Sequence, residues 1–449
     1  MEQLPREIFQ QIINEAVNEE GLWGSLVLRR VSREWDTAIL RAICIEGVLD
    51  PLSKYGRSST DLQRPLKDSY HRSFPHMLQR PPHWHIVPIL ETLALSSTRY
   101  CINAASLAIR QAANWIEQNF KEEFPNREAN IRRLSETVVI IDKDLWLWNL
   151  FERGSYELTE MSDKDKEMSI RRSADLTMGL AVYLGDIQLH RSIRGRIPGY
   201  ENMIVATTMV AAYRGEGDLL REMLDITQNT ETKFPHLGKM STGYMRAPHW
   251  CEIFSSSITY NVNSIHGGLS TIRQLAIAGH AEILRQALRD QPWWKHLSFS
   301  IQESMCLTRD LDTLKVLWEA LGEMPDARLI KRIAMQKAAL VATIFGDTEI
   351  VAYMLSQGLK AEEPIAHGVD TLTGGVIRSP AKESIMITAV KYGRKGVVKL
   401  LLDSGVRPHT SVILVSQTSE NAVAFDATTK DITDIQELFL QYGYRLRLV

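Results

Sequence analysis

The stretch SIMITAVKYGRKGVVKLLLDSGVRPH, residues 384–409, decides the fold. It predicts two short helices back to back, the first ending at Gly393 and the second at Gly405. Glycine just past a helix closes it, because glycine enters the left-handed conformation without strain. The second helix carries Val397, Val398 and residues 400–402 as an apolar stripe at helical spacing. A unit of this size cannot bury its stripe alone, so it predicts neighbours of the same kind.

Further copies of this pattern occur upstream and downstream, with decreasing regularity. They lie at residues 178–193, 209–224, 275–288, 306–321, 339–358 and 427–443. Their turn positions align as Gly185, Gly215, Gly279, Asp310, Gly346, Gly393 and Asp431, at steps of 30, 64, 31, 36, 47 and 38 residues. Residues 228–262 and 361–380, rich in Pro, Gly, Ser and Thr, supply insertions where the step is long.

The repeated unit resembles the ankyrin repeat, whose period is about 33 residues. The resemblance implies an α-solenoid over residues 171–449 that binds other proteins and catalyses no reaction. It also implies a partner-binding face to which Lys382 and Glu383, just ahead of an inner helix, and the loop 361–380 contribute. The family's Thr-Pro-Leu-His turn is intact nowhere, and Ser379-Pro380 is its nearest trace. From the residues alone, a generic helical bundle with chance glycines is the alternative.

The N-terminus predicts a second, smaller helical module over residues 1–50. Residues 4–13 read LPREIFQQII, in which proline suits a first helical turn and Ile8, Ile12, Ile13 and Val17 share one helical face. After a predicted break at Glu20-Gly21, residues 26–39, LVLRRVSREWDTAI, form another amphipathic segment.

This module resembles an F-box, a three-helix unit that docks on a Skp-type adaptor of a cullin–RING ubiquitin ligase. The resemblance rests on Leu4-Pro5, Glu7-Ile8 and the run from Leu28 to Trp35. It implies an adaptor-facing and core surface built from Leu4, Pro5, Ile8, Ile12, Leu28, Val31 and Trp35. The alternative is that the same residues merely cap the solenoid.

The segment between the two modules divides into a linker and a helical region. Residues 51–90 hold six prolines and a local charge of +4, which predicts an extended connector. Residues 91–170 are helical but of unclear type, with one amphipathic helix expected at 106–120. They are either diverged repeats or an adaptor region that joins the modules.

The overall composition favours an intracellular interaction protein, in the cytoplasm or the nucleus. The apolar runs fall short of the ~18–20 residues that cross a bilayer, and no secretory leader opens the chain. The four cysteines are widely separated, as in reduced intracellular proteins. A net charge of −2 gives little attraction toward DNA or RNA, so no direct nucleic-acid or membrane partner is expected.

The residue patterns of the chain predict no enzymatic activity, no cofactor and no metal site. The histidines at 71, 76, 83 and 85 lack the fixed ligand spacing of a zinc site and are interpreted as linker residues. No Gly-Lys-Ser/Thr, Gly-x-Ser-x-Gly or His-Glu-x-x-His pattern occurs.

Two binding hypotheses follow. In the first, the chain is a substrate receptor that couples a ligase adaptor to an unidentified protein target. In the second, it is a scaffold or transcription coregulator that binds a transcription factor. The second resembles a group of filamentous-fungal ankyrin proteins, some of which are described as coregulators of secondary-metabolite gene clusters.

Overall fold

The computed structural model describes a mainly helical chain. The described residues are 5–29, 31–44, 46, 83–95, 104–141, 163–196, 205–223, 265–290, 298–323, 327–363, 366–369, 376–378, 384–408 and 429–444. The chain divides into two compact units, Met1–Thr271 and Ile272–Val449. The division lies within a region predicted as repeats, and the limits 1–50, 51–90, 91–170 and 171–449 stay a prediction.

The first unit is a helical bundle. Its helices are α1 (Arg6–Leu28), α2 (Arg33–Cys44), α3 (His83–Leu95), α4 (Ala104–Asn119), α5 (Arg127–Ile141), α6 (Asp163–Tyr183), α7 (Ile187–Gly195) and α8 (Val205–Arg214), and residues 217–223 are also helical. Helix α6 packs against α4, α5, α7 and α8, and α3 packs against α2, α4 and α5. Helix α4 confirms the amphipathic helix predicted at 106–120, with Ile109, Ile116 and Phe120 buried.

The N-terminal helices pack on each other and then on α3. Ile13 and Val17 of α1 are fully buried, as are Ile39 and Ala42 of α2. The thiol of Cys44 donates to the carbonyl of Ile89 in α3 at 3.9 Å. The predicted break at Glu20-Gly21 is wrong, because α1 runs through both residues as one helix of 23 residues.

Helix α3 corrects the prediction of an extended linker over residues 51–90. It begins at His83 and contains Pro88, which has no N–H for an intrahelical hydrogen bond. Ile89, Leu90 and Leu93 are almost completely buried. Burial of such side chains is worth roughly 1.5–3 kcal/mol each, which offsets the proline penalty of about 3 kcal/mol. Residues 51–82 lie outside the described part of the chain.

The second unit is built from helical hairpins. Its helices are α9 (Ile265–Ala278), within which the division falls, α10 (Ala281–Asp290), α11 (Ser298–Leu307), α12 (Leu311–Gly322), α13 (Ala327–Phe345), α14 (Thr348–Ser356), α15 (Ile385–Lys391), α16 (Lys395–Asp403) and α17 (Thr429–Gln441). Helices α11, α13 and α15 pack side by side in chain order. A second row in chain order consists of α10, α12, α14, α16 and α17.

Eight helix-ending turns in the described part of the chain repeat one backbone pattern, five of them at the glycines aligned from sequence. The predicted glycines Gly185, Gly215, Gly279, Gly346 and Gly393 all have φ between 65° and 83°. In each turn the glycine N–H donates to the carbonyl three residues earlier, and the next N–H donates to the carbonyl five residues before it. This pair of backbone hydrogen bonds is the Schellman motif, which provides hydrogen-bond donors for carbonyl groups at a helix end. The prediction of glycine-closed helices is therefore confirmed at these five positions and also at Gly405, where the same two hydrogen bonds form.

The two aspartates that were aligned with these glycines have other roles. The carboxylate of Asp310 caps α12 by accepting from the Thr313 N–H at 2.7 Å. In the turns at the aligned glycines, the glycine directly precedes the N-cap residue, so the residue equivalent to the glycine here is Arg309. Asp431 lies in the first turn of α17, where a negative charge is favourable, and that helix continues through it. Both alignments are wrong because aspartate favours N-caps and first turns rather than the left-handed turn.

A small β-hairpin occupies part of the predicted insertion 361–380. Strands β1 (Ala366–Val369) and β2 (Val376–Arg378) pair antiparallel, with Ala366 opposite Arg378 and Val369 opposite Val376. Strand β1 also packs against α13. The insertion therefore includes local regular structure beside the helical row.

Replacement of Gly279 by Ala is expected to lower the free energy of unfolding by about 1–2 kcal/mol, the cost of a left-handed Cβ. The φ of Gly279 is +78°, and an added Cβ would lie 3.2 Å from the Asp310 Cβ. Urea denaturation followed by circular dichroism measures the effect. Gly195→Ala is the control, because Gly195 has open space around it and no positive φ. Equal losses in both variants would contradict the assignment.

Within the described residues, no helix is both long enough and apolar enough to cross a membrane.

Candidate protein-interaction surfaces

Three large apolar side chains of the N-terminal module are exposed to solvent. Ile8 is 48 % exposed, Ile12 is 44 % exposed and Val31 is 61 % exposed. Pro5 is exposed as well. We call these four residues the N-terminal apolar surface. Helix α1 thus has one buried apolar face, which contains Ile13 and Val17, and a second apolar edge with no partner in the described part of the chain.

Contacts between the N-terminal halves of α1 and α2 hold the two helices together beside this surface. The rings of Phe9 and Trp35 meet edge to face, with centroids 6.1 Å apart. The Gln10 side-chain amide donates to the carbonyl of Ala38 at 3.1 Å, so the second turns of α1 and α2 lie side by side. Ile8 and Ile12 flank Phe9 along α1, and Val31 precedes Ser32, whose Oγ accepts from the Trp35 N–H at 3.2 Å.

The structure sorts the residues predicted for this surface into three groups. Pro5, Ile8, Ile12 and Val31 are exposed, whereas Leu28 and Trp35 are half-buried. Leu4 lies outside the described residues. The prediction placed Ile8, Ile12, Ile13 and Val17 on one common face, and this is wrong because α2 covers only the last two.

A second candidate surface lies at the turns of the second unit, and sequence analysis did not identify it. We call Arg309, Phe345, Asp347 and Arg394 the turn cluster. The Arg309 guanidinium lies over the Phe345 ring at 3.8 Å from its centroid. Its Nη2 donates to Asp347 Oδ1 at 3.0 Å, and its Nε lies 2.5 Å from Asp347 Oδ2.

Arg394 approaches the same turn from the following hairpin. Its Nε donates to the carbonyl of Ile344 at 2.7 Å. Its Cδ lies 3.4 Å from the position of a Cβ at Gly346, so the absence of a side chain there lets the arginine lie flat against the turn. The available sequence signal was a charged residue beside a turn glycine, which is too common to single out Arg394.

The predicted repeat-face residues cannot be compared with this geometry. Lys382 and Glu383 lie outside the described residues, as does half of the loop 361–380, of which 361–363 and the two strands are described. Nearby, Arg332 forms an ion pair with Glu363, which lowers the pKa of that carboxyl through the hydrogen bond that Arg332 donates.

A buried histidine is the most unusual titratable group in the first unit. His190 of α7 is fully buried, and neither of its ring nitrogens has a hydrogen-bond partner among the described residues. Burial lowers its pKa to about 4, and the charges of Arg194 and Arg191 add to this effect while Glu222 opposes it. Among the described residues, no group of three or more His, Cys, Asp or Glu side chains could hold a metal ion.

No protein-family model, curated protein or solved structure matches this chain.

Proposed function

We propose that this chain is a non-catalytic interaction protein that acts as an F-box-type substrate receptor of a cullin–RING ubiquitin ligase. The N-terminal apolar surface would dock on the Skp-type adaptor, and the helical hairpins of the second unit would bind the protein to be ubiquitinated. Catalysis would come from the ligase partners.

The observation that carries the proposal is the exposure of Ile8, Ile12 and Val31, in contrast to the buried Ile13 and Val17 of the same module. Single exposed apolar residues are ordinary on a protein surface, but a group of them indicates a binding site. The neighbouring Phe9–Trp35 pair supplies aromatic area of the kind enriched at interface hot spots.

The target-binding part of the proposal rests on the repeated hairpins. Successive glycine-closed turns, together with two rows of helices packed in chain order, support an ankyrin-type α-solenoid. Each hairpin of such an array contacts only its neighbours, which creates an extended surface for a partner. The 47-residue step contains the described β-hairpin, and the insertion predicted at 228–262 within the 64-residue step lies outside the described residues.

Capture of the full-length chain by a purified Skp-type adaptor tests the docking step. The variant Ile8→Ala/Ile12→Ala/Val31→Ala is expected to weaken binding at least about tenfold, because truncating central interface side chains costs about 1–2 kcal/mol or more each. Surface plasmon resonance gives the dissociation constants.

The matched control is Leu95→Ala/Ile170→Ala/Leu184→Ala. It removes three other exposed apolar side chains of the first unit and should leave adaptor binding unchanged. Circular dichroism of both triple variants checks that the helices remain. If the native chain is not captured, or if both triple variants lose binding equally, the receptor proposal fails.

The second candidate is an interaction scaffold or transcription coregulator without a ligase role. The docking of α2 on α3, including the contact between Cys44 and Ile89, favours it, because this places the N-terminal helices in the bundle as a cap would be placed. On this proposal the adaptor does not bind, while the second unit still binds its protein partner, such as a transcription factor.

A further inference from the structure

One turn of the second unit is held by arginines from both neighbouring hairpins. Arg309 precedes α12 and reaches forward to residues 345 and 347, and Arg394 precedes α16 and reaches back to residues 344 and 346. The two guanidinium groups therefore lie against the same four-residue turn between α13 and α14. They are separated by 85 positions in sequence and are brought together only by the stacking of three hairpins.

Both arginine side chains are held by contacts that leave some of their N–H groups free to donate to a ligand. Arg394 uses only its Nε, and neither of its terminal nitrogens has a partner in the described part of the chain. Arg309 uses Nε and Nη2 on Asp347, which leaves its Nη1. Because the stems are already ordered, a ligand that binds these nitrogens would lose little additional side-chain entropy.

The local charges leave a positive surplus at this turn. Asp347 is the carboxylate paired with Arg309, and it is the only one in contact with either arginine among the described residues. The ammonium of Lys395, which follows Arg394 in the sequence, is paired with Asp434. The guanidinium group of Arg394 therefore has no carboxylate in contact with it among the described residues.

Repulsion between the two guanidinium groups also affects the pKa of Arg309. Its pKa is lowered chiefly by burial and further by the charge of Arg394, while Asp347 opposes the shift. An additional anion between the two arginines would relieve this repulsion. The exposed Phe345, whose ring Arg309 covers on one side, adds apolar area at the same place.

We propose that the turn cluster binds a side-chain carboxylate in an acidic, extended segment of the protein partner. The carboxylate would lie against the free terminal nitrogens of Arg394 and Nη1 of Arg309, a geometry that guanidinium donors favour. Apolar atoms of the segment would contact Phe345. This inference rests on the proposed role of the hairpins in partner binding, and it names the chemistry of that partner.

Fluorescence anisotropy of the full-length chain with labelled hexaglutamate and hexaglutamine peptides tests the proposal. At low ionic strength the acidic peptide should bind more tightly than the neutral one. Arg394→Gln should weaken hexaglutamate binding about two- to fivefold, the range of one partly exposed charge pair. Arg285→Gln is the matched control, because Arg285 is an exposed arginine of the same unit that pairs with Glu282.

A second variant reverses the sign of the effect. Asp347→Asn removes the one carboxylate in the cluster and should tighten hexaglutamate binding by about the same factor. Equal binding of the two peptides, equal effects of Arg394→Gln and Arg285→Gln, or no tightening by Asp347→Asn would overturn the proposal. Equally effective competition by free citrate at matched carboxylate concentration would also overturn it, because it would indicate a small anion rather than a peptide segment.

The assay does not involve the ligase adaptor, so the two proposals can fail separately. Loss of adaptor capture with retained hexaglutamate binding would reject the receptor function alone. Retained capture with no effect of the Arg394 substitution would reject the acidic-segment site alone.

Discussion

Replacement of Leu317 by Ala is expected to lower the free energy of unfolding of the second unit by about 2–5 kcal/mol, the range for buried leucines. Leu317 is completely buried in α12, the middle helix between α10 and α14 in the second row. The substitution removes three buried carbon atoms and leaves a cavity that both neighbouring hairpins line. With a urea m-value of about 1–3 kcal/mol/M, the unfolding midpoint should fall by roughly 1–2 M.

Lys315→Ala on the same helix is the control for this prediction. Lys315 is exposed and pairs with Asp312 at 2.9 Å, so its loss should change stability by less than about 0.5 kcal/mol. Circular dichroism during urea titration measures both variants. If Leu317→Ala unfolds at the same urea concentration as Lys315→Ala, α12 is not packed between its neighbours as described.

Acidification from pH 7 to pH 4.5 is expected to remove about 2–3 kcal/mol of stability through His190 alone, from 1.36 kcal/mol per pKa unit. The pKa of His190 is lowered to about 4 in the folded chain, mainly by burial, against 6.5 in the unfolded chain. Between these values the unfolded chain binds more protons than the folded chain. The stability is therefore fully present above pH 6.5 and is lost as the pH falls toward 4.

His190→Leu isolates this contribution from the other titrating groups. The variant should lose less stability than the native chain on acidification, and the difference between the two should match the His190 effect. It should also be at least as stable at pH 7, because two buried ring nitrogens without hydrogen-bond partners are removed. Ser192→Ala, on the exposed side of α7, is the control and should follow the native pH dependence. Parallel pH curves for the native chain and His190→Leu would contradict the buried, neutral state of His190.

Local sequence chemistry was sufficient to predict the glycine turns. A Schellman turn involves about six consecutive residues, and its need for a left-handed backbone is met by glycine wherever the rest of the fold lies. This is why Gly346 and Gly393 could be assigned from sequence. The same local argument failed at Asp310, because aspartate is favourable at both a turn and an N-cap, and only the hydrogen bond to Thr313 distinguishes them.

Surface assignments required contacts that are distant in sequence. Four apolar residues on one predicted helical face do not indicate which of them a neighbouring helix will cover. Ile13 and Val17 are buried, whereas Ile8 and Ile12 remain exposed. Pro88 similarly argued against a helix, but the buried residues that follow it stabilise α3 through packing on α2, α4 and α5. Packing outweighs helix propensity here, because the burial of several apolar side chains contributes more free energy than one unfavourable residue costs the helix.

The sequence by itself determined that the chain is mainly helical, where six of its helices end, and which residues are apolar enough to form its core. Only the tertiary structure decided that the ring of His190 is buried without hydrogen bonds and that Arg309 and Arg394 meet on one turn. The physical reason is the range of the interactions. Helix periodicity and turn geometry act over a few neighbouring residues, whereas burial and charge pairing depend on hairpins that are many residues apart.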